Sequence, residues 1–119
     1  MRRKEGALVP LEVSILEAAM ELRRGGVIEA HGFLLAKEMR DEHHARRLTA
    51  YGTLYKALDR MERAGYLRSR WEDPLIAAHE GRPRRRFYRV TLAGEGALER
   101  ATSSAREAAL PRSAAILPS

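Results

Sequence analysis

The sequence has no cysteine among its 119 residues, which removes both a disulfide framework and a thiolate zinc site and fits a reducing compartment. No apolar run approaches the length of about 20 residues that spans a bilayer. The opening residues Met1, Arg2, Arg3 and Lys4 lead into no signal-peptide hydrophobic segment. A soluble cytoplasmic chain is therefore expected. Catalytic equipment is also missing: no nucleophile stands beside a base, no glycine-rich phosphate loop occurs, and acids alternate with bases at helical spacing, as on solvated faces. Of the four histidines, His43 and His44 are adjacent and cannot share a helix face, and no ligand spacing repeats with His31 and His79. Neither enzymatic activity, a metal nor a cofactor is implied.

What the sequence does contain is positive charge, in two places. The net charge is +6, but residues 46–70 hold seven bases against Asp59 and Glu62, and residues 82–89 hold five arginines and no acid. The rest of the chain is net acidic. Such focusing suits a polyanion-binding surface better than a solubilising coat. At this length one modest core is expected and a second is not.

The chain is organised around residues 49–65. Leu54, Leu58 and Met61 recur at spacings of four and three and form one apolar stripe on a helix, while Tyr51, Lys56, Arg60 and Arg63 point away from it. Thr49 is a plausible N-cap and Gly65 a plausible stop. Ala50, Tyr51, Gly52 and Thr53 make a small, flat leading turn, suited to entering a DNA major groove.

Upstream, Leu8, Leu11, Ile15, Ala19 and Leu22 give a first helix from about Val9 to Arg24, ended by Gly25 and Gly26. A second helix is expected from about His31 to Glu42, with Phe33, Leu34, Ala36 and Met39 inward. With the third helix it makes a helix-turn-helix. Downstream the period changes to two: residues 66–71 and 85–90 read as antiparallel strands joined by a long connection from Glu72 to Arg84, with the arginines at its tip. The hairpin is a wing, able to lie over DNA backbone and send arginine into the minor groove. Trp71 and Phe87 are expected to seal wing against helices, with ligand stacking by Trp71 as the alternative.

Thr91 caps a last helix to about Ala109, on which Leu98, Ala101, Ala105 and Ala108 line one side. Its expected use is a dimer contact; the alternative is a lid on the first helix. The resulting division is a winged helix-turn-helix over residues 8–90, a dimerisation helix over 91–110, and flexible tails at 1–7 and 111–119. The fold class is mainly α with a small β-hairpin.

Three segments in order, residues 52–65 (GTLYKALDRMERAG), 70–72 (RWE) and 81–94 (GRPRRRFYRVTLAG), together with residues 31–33 and 35–37, resemble the PadR family of bacterial transcriptional regulators over roughly residues 8–100. The resemblance implies a homodimeric winged-helix repressor on palindromic operators, paired through its C-terminal helix. Some members of that family release DNA when a small aromatic or drug-like molecule binds. This chain lacks a bulky helical C-terminal domain and is similar to the short subfamily, so its small-molecule effector stays unassigned. Thr53, Tyr55 and Lys56 match the family's recognition-helix motif, and Arg82, Arg84, Arg85 and Arg86 its basic wing. Thr49 and Tyr51 join them by position as DNA-contact candidates. Each has a rival reading: Tyr55 as packing, Lys56 as a solvated side chain, and some arginines as partners of surface acids. The expected partner is double-stranded DNA, in the nucleoid; an architectural or RNA-binding role, or a wing docking an acidic protein, are the rival classes.

Overall fold

The computed structural model describes residues 7–43 and 51–109. Five helices and three short strands follow in the order α1 (Pro10–Arg24), β1 (Ala30–His31), α2 (Gly32–His43), α3 (Tyr51–Arg63), β2 (Leu67–Trp71), α4 (Pro74–His79), β3 (Arg86–Val90) and α5 (Leu92–Ala109). The strands form one antiparallel sheet in the order β1-β3-β2.

The core forms where the apolar stripes of α1, α2 and α3 meet the inner face of the sheet. Its largest wholly buried side chains are Ile15, Leu16, Leu35, Leu54, Leu58 and Met61, each stabilising by about 1.5–3 kcal/mol relative to exposure. Alternation along β2 and β3 turns Leu67, Tyr88 and Val90 toward this core and Arg68, Arg70, Phe87 and Arg89 to the opposite face. Gly65 stops α3 at φ +85°, a conformation that disfavours other residues.

Several expectations are corrected. Phe33 is 56% exposed rather than inward; in an apolar run that surrounds the helix, Leu35 takes its place in the buried stripe with Met39, which is inward as expected. Residues 30–31, placed next to a helix start, pair with β3 through Ala30–Tyr88 and His31–Phe87. The connection in the wing holds α4, begun by Asp73, whose side chain accepts from the Leu75 N–H at 2.9 Å, and by Pro74. Trp71 and Phe87 do not form one seal: Trp71 is 50% exposed on the inner side, whereas Phe87 lies on the outer side under Arg70, at 4.9 Å. Thr49 lies outside the described residues, as does the Tyr51 side chain.

Arg60, expected to face solvent, instead reaches back to α1 and donates to Glu12 Oε2 at 2.7 Å. Glu12 is almost fully buried and its Oε1 also accepts the Val9 N–H at 3.0 Å, so one carboxylate caps α1 and ties it to α3. Glu12→Ala is expected to lower stability by about 1–2 kcal/mol, the scale of a lost cap plus a half-exposed ion pair. A urea-unfolding midpoint equal to that of the unaltered chain would refute the tie.

The first half of α5 has more to pack on than a lone terminal helix. Thr91 Oγ1 accepts the Gly94 N–H at 3.1 Å, Gly94 and Ala97 are buried, Leu98 packs on the core, and Glu95 pairs with Arg23 of α1 at 2.9 Å. Along the seam, Leu98 and Ala101 are half-buried while Ala105 and Ala108 are exposed.

Candidate nucleic-acid interface

Between α3 and the wing lies a groove of about 760 Å3. One wall is α3, which contributes Gly52, Tyr55, Lys56 and Asp59; the other is the wing, contributing Arg82, Pro83, Arg84, Arg85 and Arg86; Trp71 and Tyr88 line the sheet between them, and His31 and Phe33 line it from β1 and α2. The structure thus brings Tyr55, Lys56 and the four wing arginines to one groove. Thr53 is exposed on the same helix but outside the lining.

Tyr55 owes its position to Gly32. A methyl group at Gly32 would stand 2.7 Å from Tyr55 Cζ and 2.9 Å from Cε1, so the phenol ring lies directly against the first turn of α2. It packs there and also lines the groove shared with the wing. His31 stacks beside Phe33 with ring centroids 6.3 Å apart. Burial, then the charges of Arg85 and Arg82, hold the His31 imidazole below its ordinary value.

The arginines differ in how far they are already engaged. Arg82 meets Glu72 with both terminal nitrogens, at 2.7 and 2.8 Å, and Glu80 with Nε at 3.0 Å. That pairing holds the Glu72 carboxyl at about 2, with the Arg85 N–H also donating to it. Arg86 donates to Ser69 Oγ at 3.0 Å and Glu62 Oε1 at 3.3 Å. Arg84 donates its Nε to the Glu72 carbonyl at 3.1 Å. Its guanidinium carbon and that of Arg86 also stand over the Trp71 ring, 5.3 and 5.2 Å from the ring centre. Among the described residues, the side chains of Lys56 and Arg85 make no hydrogen bond or ion pair. Arg82 and Arg86 therefore build the wall, and the cationic ends of Lys56, Arg84 and Arg85 are the ones left to meet an anion.

Trp71, for which stacking was the alternative expectation, lines the groove, and so do Phe33 and His31, which were not expected there. A signal existed in the side-by-side placement of His31, Gly32 and Phe33, where a glycine between two rings permits a third ring to approach. Arg68 and Arg70, counted with α3 in one basic segment, lie on the other face of the sheet, Arg70 being held by Glu29 at 2.8–3.0 Å.

A helix-turn-helix pair followed by a hairpin that forms a cationic groove with its second helix defines a winged helix-turn-helix protein. The model of the transcriptional regulator PadR-like family matches residues 22–100, and the chain belongs to that family. Among solved structures, it is similar to a transcriptional regulator from Clostridium thermocellum, at 21% identity and a TM-score of 0.65 over 82% of each chain. It is also similar to a PadR family regulator from Clostridium difficile, at 22% identity and 0.63 over 82% of this chain and 88% of that one. A PadR family regulator from Eggerthella lenta gives 26% identity and 0.55 over 77% and 82%. No curated protein matches the sequence. Among the described residues, no helix is long and apolar enough to cross a membrane.

Proposed function

We propose that the chain is a sequence-specific double-stranded DNA-binding repressor, acting as a homodimer on a palindromic operator. The observation that supports this most is the groove: a backbone ridge of duplex DNA seated between α3 and the wing meets Lys56, Arg84 and Arg85 from both sides. In this reading two copies of α3 enter successive major grooves about 34 Å apart. Affinity comes mainly from the cations at phosphate, and sequence choice from the leading turn of α3 with Tyr51 and Thr53. Pairing is assigned to the exposed half of α5, where Ala105 and Ala108 continue the line of Leu98 and Ala101.

The test is salt dependence. Lys56→Ala and Arg84→Ala are each expected to weaken binding to operator and random duplex alike, and to flatten the slope of log affinity against log salt by roughly one unit. Titrations with duplex from the promoter of the chain's own gene, random duplex and RNA separate operator binding from general affinity. Unchanged slopes in both variants, or equal affinity for all three nucleic acids, would overturn the reading.

A further inference from the structure

The sheet has a second cationic surface, on the side away from α3. Arg68 of β2 and Arg89 of β3 are direct cross-strand partners, both exposed. Side chains so opposed have Cβ atoms about 4.5–5.5 Å apart, and like charges there destabilise the pairing. Among the described residues, neither arginine makes a hydrogen bond or an ion pair. Their neighbour Arg70 is satisfied by Glu29, which fixes the segment before β1 against the sheet.

Apolar groups flank the two arginines. On one side a depression of about 570 Å3 is lined by Val27, Ile28, Phe87 and Arg89, with Ile28 56% exposed. On the other, Leu92, 85% exposed, shares a second depression with Arg68 and Arg89. Val27 and Ile28, then the two arginines, then Leu92 within an otherwise largely polar depression thus succeed one another across one face.

We infer that this outer face is a docking surface for an acidic segment of a partner protein whose carboxylates are flanked by apolar side chains. A carboxylate placed between Arg68 and Arg89 removes their mutual repulsion, and the flanking depressions accept aliphatic or aromatic side chains. Charge complementarity selects an acidic partner. Glu29 and Glu95, which also line these depressions, are held by Arg70 and Arg23, and the side chains of Val27, Ile28 and Leu92 offer apolar contacts that suit a protein segment better than the continuous phosphate rows of a nucleic acid. Because the face lies opposite the α3 groove, docking and DNA binding are compatible.

The test uses the full chain and a fluorescent synthetic peptide alternating glutamate with leucine, read by anisotropy. An oligoglutamate of equal charge serves as the comparison. Arg68→Glu turns the like-charged pair into an ion pair with Arg89, so the unfolding temperature should hold or rise while peptide affinity falls about tenfold, the loss of two exposed charge contacts. Ile28→Ser should also weaken the peptide and leave DNA affinity unchanged. Failure of the peptide to bind, equal binding of oligoglutamate, unaltered affinity in Arg68→Glu, or displacement of the peptide by duplex DNA would each overturn the assignment.

Discussion

Gly94→Ala is expected to unfold the chain at a temperature about 5–10 °C lower, for a loss near 2 kcal/mol. Helix propensity alone argues the other way, since alanine is better than glycine inside a helix by about 0.8–1 kcal/mol. Contact decides it. A β-carbon at Gly94 would fall well inside 3.0 Å of the Tyr66 backbone carbonyl oxygen and 2.9 Å from Val90 Cγ1. The carbonyl cannot swing aside, because it accepts the Thr91 N–H at 3.1 Å and so fixes the entry to α5. The helix must lift from the sheet, weakening the seat of Ala97 and Leu98 and the Arg23–Glu95 pair. Gly96→Ala supplies the contrast: the nearest atom to its added carbon is the flexible end of Arg100 at 3.3 Å. There the propensity gain of about 0.5–1 kcal/mol should survive. Thermal unfolding of the two variants should therefore move in opposite directions; a shared direction would show that the contact at Tyr66 does not govern the docking of α5. If α5 pairs subunits as proposed, Gly94→Ala should also reduce the dimer fraction seen by light scattering.

What could be read in the sequence was whatever depends on short-range periodicity. Leu54, Leu58 and Met61 announced the buried side of α3, Gly65 its stop, and Thr91 the cap of α5, because each signal lies within a turn or two of the feature it dictates. Charge partners were not readable in this way. Arg60 finds Glu12 across 48 positions, and Arg86 finds Glu62 across 24; spacing in the chain carries no trace of either meeting. The basic count therefore located a cationic wing and could not separate arginines spent on structure from those facing the groove. α4 escaped for a different reason. Its Asp73 and Pro74 are helix-start residues, but six residues are too few for a period to be counted. Nor could alternation reveal that Arg68 and Arg70 turn away from α3, since it fixes which residues share a face and not which face is inside.

The largest effect on the wing should come from Glu72→Gln, and its sign is informative. Removing an acid from beside a cationic groove ought to tighten DNA binding if only net charge mattered. Glu72, however, is the brace of the wing: its carboxylate accepts from Arg82 twice and from the Arg85 N–H, its carbonyl accepts from Arg84, and its own N–H donates to the Arg85 carbonyl at 2.8 Å. Glutamine preserves the shape but turns an amide N–H2 toward a guanidinium, leaving buried donors facing each other. Arg84 and Arg85 then lose their fixed placement, and affinity for duplex DNA should fall about three- to tenfold despite the added positive charge, a cost of lost preorganisation. Acid should act on the unaltered chain in the same manner. The Glu72 carboxyl lies at about 2 in the folded chain, below its ordinary 4.5, chiefly through its hydrogen bonds with Arg82. The stabilisation is therefore complete above about 4.5 and disappears as the pH falls toward about 2. Amide exchange over residues 72–85 should show this step in the unaltered chain and faster exchange with no step in Glu72→Gln. Tighter DNA binding by the variant, with exchange unchanged, would mean that the wing holds its shape without the brace and that its arginines act by charge alone.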